Sequence, residues 1–305
     1  MKLGVEVLFA EVPDRRPVGQ VLRDYLMLTK PRIVILLLIT GFAAMWVAAG
    51  GPPPFGLSLV TMIGLGMSCG AANAINTWYD RDIDAVMKRT QRRPLPSGRL
   101  TPDQALRFGM VVGVISFLVL ATVNLLTALL STAGLLFYVL VYTMWLKRST
   151  VHNIVIGGAA GAAPPLVGWA AVTGTLDWAA VIMFLVVFIW TPPHFWALAI
   201  FRGEDYARAG VPMMPVVRGE RATKWQILLY SLLLIPSGAL LYFTGAVGPV
   251  YLVTALGLGC AMVLASVRLL RERLPSMDWA HRTYHWSQLY LLVMFLAMML
   301  DVTRG

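Results

Sequence analysis

From Ile33 onward the chain alternates between long apolar stretches and short polar ones. Nine stretches stand out, at about 33–50, 56–78, 108–125, 129–146, 153–172, 179–200, 226–244, 249–267 and 286–302. At 1.5 Å per residue, each is long enough to cross roughly 30 Å of hydrocarbon with modest tilt or flanking help. The runs are too long and too uniformly apolar for barrel strands, so they predict nine transmembrane helices. Most links are short and rich in turn residues: Gly50 to Pro54, a few residues near Thr127, Thr173 to Asp177, and Gly245 to Gly248. Two longer links run from about 80 to 107 and from about 201 to 224. The first 32 residues are polar and basic and lack the apolar core of a cleavable signal peptide.

Composition narrows the class. Of 305 residues, 58% are hydrophobic and 13% charged, against about a quarter charged in a soluble domain. Disorder is excluded, because low hydrophobicity and high charge are its signature. A soluble globule of this length lacks the interior for so much apolar side chain. An all-α integral membrane protein remains, with segment 1–32 ahead of an intramembrane domain over 33–305. The net charge of +10 would suggest nucleic acid in a soluble domain. In a membrane protein it reads as basic loops held against an anionic leaflet, and no nucleic-acid partner is expected.

If the N-terminus is cytoplasmic, nine spans put every Lys and Arg except Arg304 on the inner side, Lys2 and Arg15 included. That asymmetry predicts a cytoplasmic N-terminus and an outer C-terminus. Both long links then face the cytoplasm, where any chemistry belongs. A transporter needs a route to both sides, so the asymmetry speaks against one. Cys69 and Cys260 both sit in apolar runs and imply neither a disulfide framework nor a metal site.

The most informative stretch runs from Asn73 to Arg89. Asn76, Asp80 and Asp84 are spaced by four, so on a helix they form one stripe, while Asp82 points elsewhere. Two carboxylates and an amide make a hard-oxygen site. Mg²⁺ favours one or two carboxylates plus substrate phosphate oxygens. The alternative is a solvated helix end. Like charges four apart are mildly destabilising on a helix, and charges near a membrane helix end are expensive. Asn73 and Asn76 carry the polar face up into the apolar run, which a solvated end does not need. Lys88, Arg89, Arg92 and Arg93 follow, then Pro94 to Gly98, which end the helix. Singly they are topology charges; together they suit a diphosphate clamp.

This arrangement resembles the first aspartate-rich motif of the UbiA-type intramembrane prenyltransferase superfamily. Four further stretches are similar to its haem-modifying branch: Thr90 to Gly98, Tyr142 to Trp169, Trp190 to Trp196 and Asp205 to Pro215. The resemblance covers essentially the whole chain. It implies nine helices in a ring around a central cavity, and Mg²⁺-assisted transfer of an isoprenyl group. Charge and span number fit a bacterial inner membrane or an organelle, and the lack of an Arg/Ser-rich transit peptide points to the bacterial one. The donor would be farnesyl diphosphate and the acceptor haem B. Metal would be held by Asp80 and Asp84, with Asn76 assisting. Haem A synthase or cytochrome oxidase assembly factors are the implied protein partners. Many superfamily members carry a second Asp-xxx-Asp, whereas this chain reads Arg202-Gly203-Glu204-Asp205-Tyr206-Ala207-Arg208. A second two-aspartate site is therefore not carried over, although Asp205 or Glu204 still offers a metal ligand. Arg208 is assigned to diphosphate through the resemblance alone.

The remaining candidates have two readings each. His194, after Trp190-Thr191-Pro192-Pro193, either faces a flat acceptor with Trp196, as an iron ligand among other roles, or hydrogen-bonds a bundle neighbour. Lys147 and Arg148 contact diphosphate or haem propionate, or serve only topology. Asn153 is functional or a cap. Tyr142 steadies cationic charge or packs in the core. Rival functions are prenyl transfer to a quinone precursor or chlorophyll-like ring, and transport.

Overall fold

The structure, a computed structural model, describes residues 16–273 and 275–303. Lys2, Arg15 and Arg304, counted in the charge asymmetry, lie outside these residues. Nine described helices are long and apolar enough to span a membrane: Pro31–Ala48, Phe55–Tyr79, Pro102–Ala121, Leu125–Ser149, Asn153–Thr173, Trp178–Phe201, Gly219–Thr244, Pro249–Arg271 and Asp278–Leu300. Each packs on the next, and the ninth packs on the first, so the spans close a ring. The first span also crosses to the fifth. There the two backbones nearly touch: a Cβ on Gly168 would lie 2.0 Å from the Gly41 carbonyl oxygen. A large apolar core joins the sixth span to the seventh, eighth and ninth through Met183, Trp190, Leu234, Tyr251 and Phe295. The only pairing outside helices among the described residues is one bridge between Val247 and Val302.

Several helices begin before their apolar runs. The third starts at Pro102, six residues ahead of the apolar run, because Thr101 and Gln104 form a reciprocal capping box. The seventh and ninth likewise start on polar residues at Gly219 and Asp278. Hydropathy marks the part of a helix in hydrocarbon, whereas caps mark where it ends. The link expected near Thr127 lies at Thr122–Asn124 instead. Asn124 caps the fourth span and accepts the Thr127 amide at 2.8 Å, which buries Thr127.

Two local features depart from the hydropathy reading, the π-helical stretch and the N-terminal helix, while the paired prolines leave it intact. The fourth span is α-helical only to Leu136, then π-helical from Phe137 to Leu146. The fifth and sixth spans run through Pro164-Pro165 and Pro192-Pro193 without a break in the helix. The segment ahead of the first span contains a helix, Val18–Leu28.

Candidate active site

The second span ends at Tyr79, and a six-residue helix, Arg81–Val86, continues from it through Asp80. That helix stops before Lys88, earlier than the proline-rich turn that was expected to end it. The four-residue register survives the junction. The Asp80 amide donates to the Asn76 carbonyl at 2.9 Å, and the Asp84 amide to the Asp80 carbonyl at 2.8 Å. Asn76, Asp80 and Asp84 are 4%, 1% and 4% exposed, whereas the Asp82 side chain is 61% exposed. The stripe is therefore buried, not a solvated helix end.

Each member of the stripe meets a cation from a different segment. Lys30, just before the first span, donates to Asn76 Oδ1 at 2.7 Å. Lys147, at the end of the fourth span, pairs with Asp80. Arg93, from the loop after the second span, pairs with Asp84 at 2.7 Å. Asn76 Nδ2 donates to Asp80 Oδ2 at 2.7 Å and to Thr143 Oγ1 at 3.1 Å, tying the stripe to the π-helical segment. Buried charges persist only when paired and hydrogen-bonded, and these pairings meet that condition.

Lys30 is the residue that sequence reasoning missed; it counted only as a topology charge. Its backbone sits in the left-handed region, φ 53°, a conformation that disfavours a non-glycine residue by about 1–2 kcal/mol. This single-residue turn joins the N-terminal helix to the first span. Burial, and then the facing Arg93 guanidinium, lower its ammonium to about 7.

The other expected clamp residues are placed differently. Lys88, Arg89 and Arg92 are exposed, and among the described residues none is ion-paired with the stripe. Arg148 is a strap. It forms two bonds to Asp82, at 2.7 and 2.8 Å, donates to the Tyr79 carbonyl at 3.2 Å, lies 4.8 Å over the Tyr79 ring and makes a longer contact of 3.5 Å with Asp80 Oδ1. Its guanidinium holds the Asp82 carboxyl below the usual range. Asp205 is buried and pairs with Arg208 three residues on in its own short helix, while Glu204 is exposed. A cavity of about 300 Å³ separates the two loops, with Asp82, Arg148 and Arg208 in its wall.

Tyr142 lies in the π-helical segment, its ring tilted against Tyr138 at 5.3 Å, and it fills the space beside Gly157. A π-helix closes i to i+5 bonds. That register puts Tyr142 and Lys147, five apart, near one face. Asn153 is fully buried. Its Nδ2 donates to the Thr150 carbonyl at 2.7 Å and the Pro212 carbonyl at 3.4 Å, and its Oδ1 has no partner. It thus clamps the loop after the sixth span onto the fourth–fifth junction. His194 is sandwiched between Trp190 at 4.4 Å and Tyr284 at 4.7 Å, with Nδ1 bonded to Ser287 Oγ at 2.7 Å. Trp196 points away from His194 into a packing cluster with Ile227, Leu269 and the Tyr230 ring.

The donor set suits a hard divalent cation. Asn76, Asp80 and Asp84 supply oxygen only, from one buried stripe, with no sulfur or imidazole among its bonded partners. The surrounding cations suit an anionic group beside such an ion.

The UbiA prenyltransferase family profile matches residues 37–298. A protein of Symbiobacterium thermophilum named protoheme IX farnesyltransferase is 83% identical over 298 residues, covering 98% of this chain and 100% of that protein. A Synechococcus protein of the same name is 56% identical, over 93% of this chain and 85% of its own length. Among solved structures, a digeranylgeranylglyceryl phosphate synthase shares the fold at TM-score 0.77 and 20% identity, over 92% of this chain and 98% of that one. A UbiA homologue from Archaeoglobus fulgidus, bound to DMAPP and Mg²⁺, shares it at TM-score 0.67 and 17% identity, over 90% of this chain and 99% of that one. With the profile spanning most of its length and a near-complete relative at this identity, the chain belongs to the UbiA prenyltransferase family.

Proposed function

We propose that this enzyme transfers the farnesyl group of farnesyl diphosphate to a vinyl group of haem B, with addition of water, giving haem O and diphosphate. The observation that carries the reading is the buried Asn76–Asp80–Asp84 stripe ringed by Lys30, Arg93 and Lys147. The acceptor is read from the relatives' shared name. Asn76, Asp80 and Asp84 are the residues that would hold Mg²⁺, which when bound supplies Lewis-acid neutralisation of the diphosphate.

The chain's own residues do the rest. Lys30, Lys147 and Arg93 already sit within bonding distance of the stripe, placed to donate to phosphate oxygens beside it. Their donors stabilise the leaving diphosphate as the C1–O bond breaks. An apolar groove of about 370 Å³, lined by Ile35, Leu38, Phe42, Met62, Leu292 and Leu296, has the chemistry for an isoprenyl chain. A haem vinyl carbon then bonds to C1 of the farnesyl cation, and the porphyrin delocalises the resulting charge. Water adds there and loses a proton, leaving a hydroxyethylfarnesyl group. No side-chain nucleophile is required. His194, with Trp190 and Tyr284 stacked on its two sides, is the acceptor-side candidate. The reaction sits at the cytoplasmic face of a bacterial inner membrane, in keeping with the charge asymmetry.

Purified enzyme given farnesyl diphosphate, haem B and Mg²⁺ should release diphosphate and add a hydrated farnesyl mass to the extracted haem. Transfer to 4-hydroxybenzoate with none to haem would overturn the acceptor assignment. The absence of diphosphate release with either acceptor would overturn the enzyme reading.

A further inference from the structure

The helix Val18–Leu28 carries an apolar arc wider than the protein covers. At about 100° per residue, Leu28, Val21, Tyr25, Val18, Leu22 and Leu26 follow one another around one side of it. The inner part of this arc is occupied. Leu28 packs with Ala74, Leu95, Leu100 and Ala105, and the Tyr25 ring meets Phe108 at 5.0 Å. The outer part is bare: Val18 is 75%, Leu22 64% and Leu26 58% exposed. Beyond Leu26 comes Arg23, exposed on the polar side. At the opposite edge Asp24 is 3% exposed and paired with Arg16 and Arg99, each at 2.9 Å.

We propose that this helix lies in the headgroup layer of the leaflet, with Val18, Leu22 and Leu26 in the acyl chains, and takes anionic phospholipid headgroups on Arg23 and Arg32. Its position requires a membrane boundary. Two residues separate its end from the start of the first span at Pro31, and it packs on the basic-side ends of the second and third spans. An amphipathic helix with an uncovered apolar edge and basic flanks binds such a surface through buried apolar area and attraction to anionic lipid. Arg32 is exposed in the first turn of the first span, on the same boundary.

The seating is wired to the site. The Thr29 carbonyl, one residue past the helix, accepts Asn73 Nδ2 at 3.1 Å, and Lys30 reaches Asn76. Asp24 holds Arg99, which donates to the Arg92 carbonyl in the loop that carries Arg93. Lipid that holds the helix down therefore holds two of the cations around the stripe, Lys30 and Arg93.

The test uses the full chain in nanodiscs, with Cys69→Ala and Cys260→Ser as background. A fluorescent label is placed on Leu22→Cys, or on Gln20→Cys on the polar side. Lipid brominated in its acyl chains should quench the Leu22 label and spare the Gln20 label. Equal quenching of both labels by aqueous iodide overturns the proposal. The second arm rests on the farnesyl-transfer reading, and the first does not. In it, adding phosphatidylglycerol to phosphatidylcholine should raise kcat/KM about fivefold, and Arg23→Gln with Arg32→Gln should remove that gain. A Leu22 label seated in acyl chains with no response to phosphatidylglycerol overturns the anionic-headgroup assignment.

Discussion

The two long loops on the basic face handle acidic side chains in opposite ways. In the first, Asp80 and Asp84 are buried; Asp84 takes Arg93 from nine residues on in the same loop, but Asp80 takes Lys147 from 67 residues away, and Lys30 reaches Asn76 across 46. In the second, buried Asp205 is paired with Arg208 three residues on, within one short helix. A local pair needs only a helix turn to form, and it satisfies itself. A non-local set forms only when several spans are assembled, and it leaves charged groups of both signs facing one small volume. The contrast separates a loop whose charges depend on the assembled bundle from one whose charges satisfy themselves, as the proposed diphosphate site would require of the first.

The largest expected effect tests the first loop directly. Asp80→Asn or Asp84→Asn should lower turnover by about a thousandfold or more, with the protein still inserted, as measured by diphosphate release. Chelation of Mg²⁺ with EDTA should do the same to the wild type and be reversed by added Mg²⁺. Near-normal turnover in either variant would erase the difference between the loops.

His194→Ala comes next. It removes the ring between Trp190 and Tyr284 and should weaken haem binding about tenfold, seen as a shifted haem absorption spectrum and a raised KM for haem. An unchanged spectrum and rate would leave His194 as a partner of Ser287 alone.

Gly157→Ala sharpens the comparison on the side of the π-helical segment. Its Cβ would fall 2.2 Å from Tyr142 Cδ2, so the ring must move or the helices part. A loss of about 1–3 kcal/mol is expected from such overpacking, read as a lower melting temperature in detergent. Gly161→Ala, with nothing within 4 Å of its Cβ, should change stability by less than about 0.5 kcal/mol.

The smallest effect belongs to the second loop. Asp205→Asn should alter turnover by less than about fivefold, since a pair with one exposed partner contributes about 1 kcal/mol at most. A loss as large as that of Asp80→Asn would give Asp205 a share in the metal site.

Much of this was legible in the linear chain. The nine spans follow from hydropathy because hydrocarbon tolerates only backbone that satisfies its own hydrogen bonds. The stripe follows from spacing by four, and the burial of Asn76, Asp80 and Asp84 agrees with it. The basic residues were harder to sort. Arg93 turns inward to Asp84, while Lys88, Arg89 and Arg92, in the same run, stay exposed. No periodicity distinguishes them, because the chain there is an irregular turn. Trp196 lies two residues from His194, on another face of the same helix, and packs against Tyr230.

The sequence by itself determined the class of the molecule, the number of spans, the basic face and the acidic stripe, because each depends on transfer energies or on the repeat of a single helix. Only the tertiary structure decided which cations meet that stripe. Lys30 reaches it through a left-handed turn, and Lys147 at the end of a π-helical stretch. Arg148 is held mainly as a strap on Asp82 and reaches Asp80 only at 3.5 Å. Pairings between segments tens of residues apart depend on how spans pack and where their ends are turned, and no local pattern encodes either.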